Sequence, residues 1–117
     1  MSPAEQLSNN LLKDTHLNIV KWSLTQPPYN LTNQSDDYIS IYLETEYKGK
    51  TIGLFEKRYK YYTDIDEYVW AAEDSLCIVE SSNRQRISIW EGNGGKTTSD
   101  LLNLAKAQAS GIHNLLE

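Results

Sequence analysis

The chain has 117 residues, with 11 basic against 16 acidic side chains and a formal charge of -5, at a mass of 13.4 kDa and a pI near 5.0. That length is one domain, large enough to bury a core without staples, and 39% apolar residues lift it above a disordered acidic chain. The single cysteine, Cys77, excludes an internal disulfide and a cysteine-built zinc or iron–sulfur site, while the acidic balance works against nucleic-acid affinity.

No apolar run approaches the roughly 18 residues of a membrane span, and Met1 to Glu5 lacks the basic start and apolar stretch of a signal peptide. A soluble, cytoplasmic protein without membrane contact is expected. Ser2 as a cap, Pro3 at the first helical position and Glu5 three residues after the cap predict a helix, with Leu7, Leu11 and Leu12 as its apolar stripe. Ile19, Val20 and Trp22 extend that stripe, so the helix is expected to reach about residue 22, although alternation from Leu17 also allows a strand there. Pro27 and Pro28 end any helix, and 27–37 is polar and turn-rich, a connecting loop with sequons at Asn30 and Asn33 that carry no meaning without secretion.

Ile39, Ile41, Leu43 and Thr45 alternate with Tyr38, Ser40, Tyr42, Glu44 and Glu46, then Lys48-Gly49 leads into a second β-rich run from Thr51. A two-residue primed turn at Lys48-Gly49 sets Thr45 opposite Ile52, Leu43 opposite Leu54 and Tyr42 opposite Phe55. Ile52 and Leu54 share one parity and Phe55, Tyr59 and Tyr61 the other, so either a bulge near Glu56 swaps faces or both faces are partly covered. Residues 63–72 read equally as a short helix capped by Thr63 or as a strand with Ile65, Glu67, Val69 and Ala71 on one side.

Ser75 to Glu80 reads as a buried strand, to which Arg86 to Trp90 pairs back through Ser81-Ser82-Asn83. After Gly92-Asn93-Gly94-Gly95 comes a closing helix capped near Thr98 or Ser99, with Leu101, Leu104, Ala105, Gln108, Ile112 and Leu115 on one face and Gly111 weakening its end. The expected fold class is α+β, a single domain over 1–117 in which an antiparallel four- to five-stranded sheet carries N-terminal and C-terminal helices on one face.

Chemical signatures are sparse. Gly95-Lys96-Thr97 matches the end of a phosphate-binding loop, but Trp90 occupies the position of its first glycine and only 20 residues follow Thr97. A looser anion or small-ligand site at Gly94, Gly95, Lys96 and Thr97, at the start of the last helix, is the second functional reading. Lys57-Arg58-Tyr59-Lys60-Tyr61-Tyr62 mixes cations and rings as single-strand nucleic-acid binders do, but in a strand it is split between two faces, and five acids follow within 11 residues. Lys57, Arg58 and Lys60 are better read as charges protecting an edge strand. His16 and His113 stand near opposite termini with no partner at metal spacing, and Cys77, between Leu76 and Ile78, reads as an inert core residue, so no catalytic, metal or cofactor site is expected.

The remaining signal is surface. With the helices over the Ile39, Ile41 and Leu43 face, Tyr42, Phe55, Tyr59 and Tyr61 would form an uncovered aromatic face, unless 27–37 folds over it or a homodimer shares it. The order of elements resembles that of small acidic chaperones of secreted effectors, which implies a protein-binding role at the level of fold alone. The first reading is thus a non-enzymatic protein-binding module of inhibitor, immunity-protein or effector-chaperone type. Its aromatic face would pack on a protein partner, and Asp64, Asp66, Glu67, Glu73 and Asp74 would orient a basic one.

Overall fold

The computed structural model describes residues 1–32 and 36–116. Helix α1 spans Pro3–His16, and the Ser2 hydroxyl accepts the Glu5 amide at 3.1 Å. It stops six residues short of the expected end. Asn18 takes a left-handed φ of 61°, the amides of Ile19 and Val20 both return to the Asp14 carbonyl, and the chain reverses. Val20 and Trp22 then enter the core without being helical, because side chains replace the missing backbone partners. The Gln108 amide accepts from Trp22 N–H and donates to the Val20 carbonyl, both at 2.8 Å, while Thr45 Oγ1 donates to the Lys21 carbonyl.

A short strand β1 (Ser23–Leu24) follows, then a 3-10 turn at Tyr29–Leu31, β2 (Tyr38–Tyr47), β3 (Lys50–Tyr62), β4 (Tyr68–Ser82) and β5 (Gln85–Gly92). These form one five-stranded antiparallel meander in chain order. The expected β2–β3 register is found: Thr45 pairs with Ile52, Leu43 with Leu54 and Tyr42 with Phe55. Lys48 and Gly49 both have positive φ, which matches a primed turn to the twist of the strands. The β4–β5 turn lies at Asn83-Arg84, slightly later than the sequence suggests, again with two positive φ values. Residues 68–72 are strand, which decides between the two readings of that stretch.

A β-bulge falls between Ile39 and Ile41, opposite Glu56 and Lys57, and Ser40 donates to the Glu56 carboxylate at 2.6 Å. The bulge is on β2, and β3 keeps its alternation against β4 from Thr51 to Tyr62, so its faces do not swap; the second alternative holds, since both sides of the sheet are partly covered. Helix α2 (Lys96–Ser110) starts at Gly95 rather than near Thr98, and Gly111, at φ 71°, breaks it from a last turn, α3 (Ile112–Leu115). Against α1 and α2 the sheet buries Leu43, Ile52, Leu54 and Leu76 with Val20, Trp22, Leu101 and Leu102. On the opposite face Leu31 closes over Tyr42, Phe55, Cys77 and Val79.

That cover is clamped in place by Asn30, whose side-chain amide donates to the Ser88 carbonyl and accepts from its N–H, both at 2.8 Å, as a strand residue would. The sequon at Asn33 lies outside the described residues. Gly53 is a strand-interior glycine for a packing reason: a Cβ there would meet Tyr42 Oη at 2.4 Å and Cys77 Sγ at 2.5 Å.

Candidate functional site

Strands β3 and β4 are longer than their neighbours. Pairing with β2 ends at Arg58, opposite Tyr38, and pairing with β5 ends at Leu76, opposite Gly92. Beyond those points β3 and β4 continue as a two-stranded ribbon closed by residues 63–67, where Thr63 N–H donates to the Glu67 carbonyl. Every residue from Tyr61 to Trp70 is exposed.

The ribbon is ring-rich. Strand alternation puts Tyr62, Tyr68 and Trp70 on the same side as Leu54 and Leu76, the side the helices cover further back, and the Ser40 bulge brings Tyr38 to that side as well. Ring centroids lie 5.7 Å apart for Tyr38 and Trp70, 6.2 Å for Trp70 and Tyr68, and 5.6 Å for Tyr68 and Tyr62. The Lys60 ammonium sits 4.5 Å from the Tyr68 ring centre and 3.4 Å from the Asp36 carboxylate. Trp70 nevertheless stays 50% exposed and Tyr62 57%. On the other side Tyr61 pairs with Val69, both exposed, and Ile65 at the tip is 89% exposed. An apolar concentration of this size at one end of a domain is the usual mark of a contact surface.

The expected aromatic face is therefore corrected in its composition. Tyr42 and Phe55 are 3% and 0% exposed, stacked on each other under Leu31, so for these two rings the alternative in which 27–37 folds over the face is the one found. Tyr59 is half-buried and Tyr61 exposed. The acids divide as well. Asp64, Asp66 and Glu67 lie in the exposed tip, whereas Glu73 and Asp74 sit on β4 opposite Lys57 and Glu56, with Glu73 accepting from Asn93 at 3.0 Å.

Lys57 and Arg58 are not on an edge, because β3 has neighbours on both sides there, whereas Lys60 lies beyond the end of β2 on a stretch of β3 that pairs with β4 alone. Tyr68 and Trp70, missed as site residues, follow from the strand reading of 63–72: a turn centred on Ile65 pairs Tyr62 with Tyr68 and Lys60 with Trp70.

The glycine loop spends its donors internally. Gly94 N–H donates to Thr98 Oγ1, Gly95 N–H to Asn93 Oδ1, and Lys96 Nζ to both Asp100 carboxylate oxygens. Thr97 is half-buried. The neighbouring hollow of about 500 Å³ is lined by Glu56, Glu73 and Asp74 with Asn93, Gly95 and Ser99, an acidic setting for an anion.

His16 and His113, 97 positions apart, line one cleft of about 400 Å³ with Thr15, Asn18 and Gln108. Among the described residues no group of three or more His, Cys, Asp and Glu is placed to hold a metal. Cys77 is fully buried, and burial pushes its thiol up to about 11.

Among the described residues no helix is long and apolar enough to cross a membrane. Compared with protein-family models, curated proteins and solved structures, the chain matches none.

Proposed function

We propose that the chain is a non-catalytic protein-binding module that meets its partner with the projecting β3–β4 ribbon. The observation that carries this reading is the chain of rings Tyr38–Trp70–Tyr68–Tyr62, in mutual contact yet half open to water. Tyr and Trp give large rigid contact area at low entropic cost and tolerate both water and burial, which is why they dominate binding hot spots. Asp64, Asp66 and Glu67 at the tip supply the negative field that attracts and orients a basic surface. An inhibitor, an immunity protein and an effector chaperone all fit this description. Each binds one protein through a preformed, charged, aromatic surface.

The test is a pull-down from lysate of the source cells with three baits: the natural chain, a Tyr62→Ser/Trp70→Ser variant, and an Asp64→Asn/Asp66→Asn/Glu67→Gln variant. A protein retained by the first, lost with the second, and held by the third in a way less sensitive to salt supports the reading. Equal capture by all three baits overturns it.

A further inference from the structure

Strand β5 stops pairing at Leu76, and residues 68–72 of β4 have β3 on one flank and no covering element among the described residues on the other. Thr63 N–H donates to the Glu67 carbonyl, so in this ladder the odd-numbered residues of β4 bond to β3. Tyr68, Trp70 and Ala72 therefore turn their N–H and C=O groups outward. Natural sheets guard such an edge with charge, proline or a bulge, and Tyr68-Val69-Trp70-Ala71-Ala72 has none of these. Three backbone donors and three acceptors in a row are a template for one more strand.

Charge decides what that strand is. Residues 56–74 hold six acids, Glu56, Asp64, Asp66, Glu67, Glu73 and Asp74, against three bases. The bases, Lys57, Arg58 and Lys60, all lie on β3, which is across β4 from the open flank. The flank itself runs from Asp66 and Glu67 in the turn to Glu73 and Asp74. At its Ala72 end it opens on the hollow that those last two acids line with Glu56, Asn93, Gly95 and Ser99. A second copy set antiparallel over 68–72 would lay Glu73 and Asp74 of each chain against Glu67 and Asp66 of the other, which like charges disfavour.

We infer, on the protein-binding reading above, that the edge takes a basic, extended segment of the partner, which joins antiparallel to β4 as a sixth strand. The residues of that segment opposite Tyr68, Trp70 and Ala72 share the ring-bearing side. One opposite Trp70 packs on the indole. A Lys or Arg opposite Ala72, whose small side chain leaves room, reaches the acids of the hollow, and one opposite Tyr68 faces the acids of the tip.

The probe is the labelled peptide Thr-Arg-Thr-Val-Thr-Arg-Thr, followed by fluorescence anisotropy with the full chain, beside two forms of identical charge. In one, the Arg and Val amides, which face β4 in this pairing, are N-methylated; in the other, the three Thr amides that follow them and face away are methylated. The parent and the Thr-methylated peptide should bind, less tightly as salt rises, and the Arg- and Val-methylated peptide at least about tenfold more weakly. Asp74→Asn should weaken the parent about threefold, the scale of one partly exposed ion pair. On binding, amide exchange should slow at Tyr68, Trp70 and Ala72 and stay as it was at Val69 and Ala71, which already bond to β3.

Equal binding by the two methylated peptides, or no binding of the parent up to about 1 mM, overturns the inference. A chain that is dimeric by light scattering, with those three amides protected before any peptide is added, gives the edge to a second copy and overturns it too. A lysate partner that needs Tyr62 and Trp70 yet leaves the three amides exchanging as before keeps the ring-mediated reading and removes strand addition, so the two fail separately.

Discussion

Ser8 on the first helix and Thr98 on the last share a 2.6 Å hydrogen bond between hydroxyls that water does not reach. Thr98 Oγ1 also accepts the Gly94 amide at 2.9 Å, so one atom ties α1, α2 and the loop entering α2. Buried polar groups are costly when left unpaired, more than they gain when paired. Thr98→Val, which keeps the shape and strands two partners, should therefore lower stability by about 2–3 kcal/mol, and Ser8→Ala by about 1 kcal/mol. Urea unfolding of the two variants and of their combination measures this, and the effects should be non-additive because they share a bond.

At Gly53 the prediction concerns space. Gly53→Ala places a methyl against Tyr42 Oη and Cys77 Sγ and should cost about 1–3 kcal/mol. Adding Cys77→Ala opens room on one side and should recover part of that loss, which a double-mutant cycle in urea would show.

Alkaline pH should weaken the fold. Burial pushes the Cys77 thiol from 9.0 up to about 11, and burial and its Cys77 neighbour move the Tyr42 hydroxyl up as well. In both cases the folded state holds the proton more tightly, so the stabilisation is complete below the unfolded pKa and disappears as pH rises through the folded value. Cys77 alone should cost roughly 2–3 kcal/mol between about pH 9 and pH 11. Unfolding followed across that range should show the decline, and Cys77→Ala should remove part of it. In the native state the thiol should resist labelling at pH 8, and it should react once the chain is unfolded.

Trp70 separates folding from binding. Its ring is half exposed and packs against Tyr38, Tyr68 and Lys60. Trp70→Ser should change stability by less than about 1 kcal/mol, yet raise the dissociation constant of a captured partner by about 30-fold or more, the 2 kcal/mol or more expected of a hot-spot residue. Thermal unfolding and titration calorimetry on the same variant read the two effects apart. Equal losses in both would mean that the ring is structural.

Much of the sheet was readable from local pattern. Alternation over Tyr38 to Glu46 and the Lys48-Gly49 turn specify the β2–β3 register, because a slip of one residue would turn Leu43 and Leu54 out of the core. Ser2, Pro3 and Glu5 specify the start of α1, because the orphan amides of a helix end are met by neighbours in sequence. The end of α1 was not readable. Val20 and Trp22 satisfy helical spacing and strand alternation alike, and their backbone is held by Gln108, 86 positions from Trp22.

For the site, the residues themselves determined that tyrosines and tryptophans sit among charges near 57–74, and that Tyr42, Phe55, Tyr59 and Tyr61 share a face. Which rings are covered was decided by tertiary structure. Leu31 covers Tyr42 and Phe55 beside an Asn30 that bonds to Ser88, 58 positions away, and Trp70 is half open where β2 and β5 have ended. Strand period and turn chemistry act over a few residues and are written in the order of the chain. Burial is a property of whatever distant segment arrives on top, and no local pattern records that arrival.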